Sequence, residues 1–166
     1  MIDLAKKLFI LSSSGTVVAG VGNSLKGDDG SGPYFIGKLR NILPAHFIDC
    51  GISPENYLEK IIALNPEKII IVDAVDFGKQ PGFMKIFPIN EIDTKAISTH
   101  NLSLDIFAGY LQCRIKKIEI FILGIQPKKC SLASDISIEI KKGIDSLVRF
   151  FKKNKSNKKQ ECFKIK

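Results

Sequence analysis

Apolar runs of strand length alternate along this chain with segments whose apolar residues recur at helical spacing. That alternation is the sequence pattern of an α/β domain with a largely parallel sheet. Residues 16–21, Thr-Val-Val-Ala-Gly-Val, predict a buried first strand. Residues 30–43 predict a helix with Tyr34, Phe35, Leu39 and Ile42 on one face. A short second strand is expected at 46–50. Ser53 before Pro54-Glu55 marks a helix start, with Ser53 as its cap, and Asn65-Pro66 stops that helix after Leu64. Residues 68–73, Lys-Ile-Ile-Ile-Val-Asp, form the continuous β-branched run of a sheet centre. A Gly78…Pro81-Gly82 turn leads to a neighbouring strand at 83–87, open to an antiparallel arrangement. A helix at 101–112, a buried strand at 118–124 and a closing helix at 137–151 complete the pattern. The last carries Ile140, Ile144, Leu147 and Val148 on one face.

The expected fold is a three-layer α/β sandwich, a twisted, mostly parallel sheet of about five strands with helices on both faces. Residues 1–151 read as a single domain, and residues 152–166 as a basic, disordered tail outside it. A total of 166 residues with 45% apolar content is enough for one core without staples. No apolar run approaches the ~18 residues that span a bilayer, so no membrane insertion is expected. At the N-terminus only four apolar residues follow Lys7 before Ser12-Ser13-Ser14, too few for a signal peptide. A short amphipathic helix fits better there, and a cytoplasmic location is the expectation.

The net charge of +8 changes meaning once it is mapped. The last fifteen residues hold seven lysines against one glutamate, which leaves only +2 on the other 151. A nearly neutral body with a basic end is not a nucleic-acid groove. The tail reads as a solvated charge run or as a tether to an acidic partner. Cys50, Cys113, Cys130 and Cys162 are far apart with no C-x-x-C pair, neither a zinc ribbon nor a disulfide scaffold.

Candidate chemistry gathers where the strands end, the place where open α/β sheets bind ligands. The first strand runs into Gly22-Asn-Ser-Leu-Lys-Gly-Asp28-Asp29-Gly30, the second ends at Asp49, and the third at Asp73 with Asp76 beyond. His100 stands at the start of a predicted helix, whereas His46 starts a strand, away from that crevice. Turn formation and helix capping also explain strand-end aspartates, and Asp28 reads as the cap of the helix from Gly30. The Gly20-Val-Gly22 start breaks the dinucleotide fingerprint at Leu25. The P-loop spacing Gly22…Gly27 is followed by two carboxylates, which would repel phosphates by about several kcal/mol in a poorly solvated site. A nucleotide or flavin carrier is disfavoured, and the loop suits a cation. Two carboxylates and an imidazole suit a divalent transition metal with positions left open. The crevice motifs contain no Cys, which weakens the case for a structural zinc.

The loop G-V-G-N-S-L-K-G-D-D-G-S-G-P (residues 20–33) resembles the opening motif of the nickel–iron hydrogenase maturation endopeptidases. The resemblance continues through I-D-C-G-I-S-P-E-N (48–56), I-V-D-A-V-D-F-G-K-Q-P-G (71–82), S-T-H-N-L-S-L (98–104) and F-I-L-G-I-Q-P (121–127). Five motifs in family order span nearly the whole globular part, and S-P-E-N, T-H-N and G-I-Q-P are similar to the branch serving hydrogenase 3 of formate hydrogenlyase type. The resemblance implies an aspartic-type endopeptidase that removes the C-terminal extension of a hydrogenase large-subunit precursor after nickel insertion. It implies Asp29, Asp73 and His100 as metal ligands and catalytic residues, with Asp49 at a further characteristic position. The nickel would come with the precursor, although another divalent metal could occupy the site. The attacking group would be water, polarised by the metal or by Asp49, and the protein would act as a monomer. A non-proteolytic chaperone that grips metal or precursor is the alternative. Cys50 departs from the family's usual glycine, and the residues before Gly15 and the lysine tail have no counterpart in the pattern.

Overall fold

Lys68–Asp76 forms the central strand, β3, and everything else is arranged around its two faces. The computed structural model describes the backbone of residues 2–91, 97–98 and 101–163, and side chains within 2–91 and 104–154. In chain order the elements are α1 (Ile2–Leu11), β1 (Thr16–Val21), α2 (Ser31–Leu39), β2 (His46–Gly51), α3 (Leu58–Leu64), β3, β4 (Met84–Pro88), β5 (Ile97–Ser98), α4 (Asn101–Arg114), β6 (Glu119–Ile125) and α5 (Ile138–Phe163).

The sheet runs β2-β1-β3-β6-β4. β1 pairs in parallel with β2 and β3, β3 pairs in parallel with β6, and β4 lies antiparallel against β6. Alternation of side chains along a strand then sorts the two cores. Val18, Ile70, Val72, Leu123 and Ile125 face α1, α2 and α5, with Phe35, Leu39, Ile144 and Leu147 among the residues that meet them. Val17, Ala19, Ile69, Ile71, Ile120 and Ile122 face α3 and α4, where Ile61, Leu104, Phe107 and Leu111 close the layer. The three-layer sandwich with a mostly parallel sheet is therefore the observed architecture.

Several local expectations change. The 30–43 helix is shorter and is preceded by a 3-10 turn at Gly27–Gly30. The helix expected from Ser53 opens as a 3-10 turn over Pro54–Tyr57, and Ser53 makes no side-chain cap bond. Asn65 ends α3 in the left-handed region at φ 43, which explains the stop more directly than Pro66 alone. The two-residue β5, antiparallel to the end of β3, was not anticipated, because two residues carry no readable period. Beyond residue 151 the helical backbone of α5 continues to Phe163, where a disordered tail was expected. Lysine, glutamine and glutamate are good helix formers and propagate a helix already nucleated by packing. The packing itself stops earlier: Phe151, stacked on Phe9 at 6.2 Å, is buried, while Lys152 and Lys153 are exposed. No helix among the described residues is long and apolar enough to cross a membrane.

Candidate functional site

The carboxyl end of β1 turns at Gly22, whose φ of 135 and close approach to the Asp29 carbonyl exclude a side chain there. The loop therefore folds back tightly, and the Asn23 amide donates to Asp29 Oδ2 at 3.1 Å. Gly32, three residues on, sits in the first turn of α2 against the carbonyl oxygens of Val21 and Val72. That contact seats the helix directly on the ends of β1 and β3. Asp73 follows Val72, is fully buried, and accepts the Ala74 amide at 2.8 Å. Asp29 is buried as well. Two carboxylates from distant parts of the chain thus lie in the protein interior at the same end of the sheet.

Burying a carboxylate is expensive unless hydrogen bonds compensate. Backbone amides, the oriented start of α2 and the ends of the parallel strands supply that compensation here. Asp49 differs. It lies within β2, two residues before the strand's end at Gly51 and not at its end as expected, is exposed, and accepts the Gly51 amide at 3.0 Å. Its side chain is in reach of solvent. His100 lies outside the described residues. Among the described residues no three His, Cys, Asp or Glu side chains form a group able to hold a metal ion. Asp29 and Asp73 are suitable hard oxygen donors, two of the three that such an ion would need.

Asp28 has a different task from the expected helix cap. The N-cap positions of the 3-10 turn and of α2 are Lys26 and Gly30, and neither makes a side-chain cap bond. The fully buried Asp28 carboxylate instead accepts backbone amides from residues 128, 129 and 137. Two further residues were missed. Gln126, in the G-I-Q-P motif, is buried, and its Oε1 accepts the Phe77 and Lys79 amides at 2.7 and 3.2 Å. Its Nε2 donates to Asp76 Oδ1 at 3.0 Å. Cys130, just outside the quoted motifs, stands near enough to the β1 loop for its thiol to feel the aspartates there. Its thiol is pushed up to about 11, by burial first and then by the charges of Asp29 and Asp28, with Asp73 adding less. A hydrogen bond with the Asp29 main chain pulls it back. Nothing in local spacing linked Cys130 to Asp29, since the β6 crossover alone brings them together.

The sequence profile of the HycI hydrogenase maturation protease family matches residues 37–153. That match begins after the loop carrying Asp28 and Asp29. The hydrogenase 3 maturation protease of Escherichia coli K12 is 34% identical over 130 residues, covering 76% of this chain and 82% of that protein. A crystal structure of a [NiFe] hydrogenase maturation protease, HycI of Thermococcus kodakarensis, superposes with a TM-score of 0.75 at 29% identity, over 89% of this chain and 95% of that one. The solution structure of the Escherichia coli endopeptidase HycI gives a TM-score of 0.68 at 30% identity, over 81% and 86%.

Proposed function

The chain belongs to the hydrogenase maturation protease family, and from that premise we propose that it is an endopeptidase acting on the large-subunit precursor of a [NiFe]-hydrogenase. It removes the C-terminal extension once nickel is seated in the precursor, and it reads that nickel through Asp29, Asp73 and His100. The observation that carries the reading is the burial of Asp29 and Asp73 at the carboxyl end of the sheet. Both are oxygen donors suited to a divalent ion. Two protein carboxylates and an imidazole leave coordination positions for donors from the precursor, so an empty precursor offers nothing to grip.

Hydrolysis needs a water whose oxygen bonds to the scissile carbonyl carbon while the C–N bond breaks and the amine takes a proton. Asp49, exposed to solvent, takes the role of accepting that water's proton. The protein acts in the cytoplasm as a monomer, without nucleic acid or membrane insertion. Nickel is part of the substrate, and another divalent ion can take its place at the carboxylates.

Incubating purified protein with nickel-loaded and nickel-free precursor, then weighing the products, tests this. The nickel-loaded form should shorten and the nickel-free form stay intact. Asp29→Asn and His100→Ala should fold normally and leave the loaded precursor at full length. Processing at the normal rate by both variants defeats the nickel-reading assignment. Tight binding of precursor without shortening favours the chaperone alternative.

A further inference from the structure

The segment after β6, residues 126–137, is tied at the carboxyl end of the sheet by its own Gln126 side chain and by the Asp28 carboxylate of the β1 loop. Asp28 Oδ2 accepts the amides of Lys128 and Lys129 at 2.7 and 3.1 Å, and Oδ1 accepts the amide of Ser137 at 2.6 Å. The exchange is reciprocal. The Asp28 amide donates to the Lys129 carbonyl at 3.1 Å, and the Ala133 amide donates to the Leu25 carbonyl at 2.9 Å. Lys26 and Ser134 form a parallel bridge beside them. The carboxylate is fully buried, so these amides replace water around it. Its chain neighbour is Asp29, whose carboxylate accepts the Asn23 amide at 3.1 Å. Main-chain bonds join the β1 loop to the β6 segment, and the Asp28 carboxylate adds three more.

We propose that Asp28 is a positioning residue: through its three amide bonds it locks segment 126–137 onto the β1 loop and holds the Asp29 carboxylate in place relative to Asp73. The inference rests on the endopeptidase reading given above. Asp28 acts through its neighbour and not on the reacting atoms. A lock that served stability alone would shift unfolding and leave turnover untouched.

The test uses the full chain and nickel-loaded precursor, with wild type, Asp28→Ala and Asp28→Asn compared at a temperature where circular dichroism shows all three folded. Amide hydrogen exchange at Lys128, Lys129 and Ser137 reports the lock independently of activity. Asp28→Ala should exchange faster at all three amides and lose about 10²-fold in kcat, the effect of misplacing a reacting group by about 1 Å. KM rises as well wherever the displaced Asp29 loosens its grip on the precursor's nickel, so the fall in kcat is the deciding readout. Asp28→Asn keeps one acceptor oxygen, so it should protect either Ser137 or the Lys128–Lys129 pair and recover part of kcat. If Asp28→Ala does not fold, the isosteric Asp28→Asn decides alone, and its kcat must lie below wild type. An unchanged kcat with faster exchange, or a rise in KM alone, overturns the proposal. A wild type that cleaves nothing removes the endopeptidase reading and this inference with it, whereas an active wild type matched by Asp28→Ala removes only the inference.

Discussion

At the amino end of the sheet Lys68 lies 3.5 Å from Glu119 and 3.9 Å from Glu67, and the glutamate side chains stay 57% and 78% exposed. At the carboxyl end of the same strands Asp28, Asp29 and Asp73 are buried, and backbone amides meet each of them. Water does the work of solvation at one end, and the fold does it at the other. Exposed pairs contribute only about 0–1 kcal/mol, so the amino end would tolerate their loss. The carboxyl end holds charges that stability alone would discard, since a well-packed apolar group is cheaper to bury than a carboxylate. This asymmetry is what makes the carboxyl end the candidate site.

The steepest way to break the contrast is to disturb the packing that seats α2 on the strand ends. A Cβ at Gly32 would overlap the Val21 and Val72 carbonyl oxygens, backbone atoms that cannot step aside. Gly32→Ala should cost about 2–3 kcal/mol, the upper part of the usual overpacking range of about 1–3 kcal/mol, because the overlapped atoms are backbone. Gly37, in the same helix, has open space around it, and Gly37→Ala should gain about 0.5–1 kcal/mol from helix propensity. Guanidinium unfolding of the two variants gives the comparison directly. A Gly32→Ala protein as stable as wild type would mean that the helix start is not tightly seated.

Sequence made the layers readable because the strands are long and their sides differ. The Ile69-Ile70-Ile71-Val72 run divides cleanly between two cores, and the parallel order follows from alternating strands and helices. It also placed Asp29 and Asp73 at strand ends. Their burial was not readable, because it depends on Gly32 and on amides from elsewhere in the fold. Asp28 looked like a local cap because Asp before a helix usually is one. Its real partners come from residues 128–137, and no local pattern encodes a contact over that separation. Cys130 escaped for the same reason. Gln126 stood in a motif, but its two-loop tie is a tertiary fact.

A second, milder perturbation compares single polar groups at the two ends. Gln126→Leu leaves the Phe77 and Lys79 amides without their acceptor and should cost about 1–3 kcal/mol. Glu119→Gln at the opposite end should change stability by less than about 1 kcal/mol, because its partner Lys68 has Glu67 nearby and water around it. Urea midpoints read both. Equal effects would erase the distinction between solvation by fold and solvation by water.

The smallest expected effect lies at Asp76, where the carboxyl end meets solvent. The Gly78 amide, at 2.8 Å, is the main cause holding its carboxyl below the ordinary 3.8, and the Gln126 side chain adds to it. A carboxyl held lower in the folded state binds fewer protons there than in the unfolded chain. Its contribution to stability is therefore complete above the ordinary value and disappears as pH falls through the folded one. The group is exposed, so the slope it adds to acid unfolding, starting near pH 3.8 and running below, should be shallow. Side-chain carbon NMR resolves it better than a melt. In wild type the Asp76 midpoint should fall below 3.8, and in Gln126→Leu it should move back only part of the way, since the Gly78 amide remains. A wild-type midpoint at the ordinary value would show that the amide network at this end of the sheet does not reach its rim.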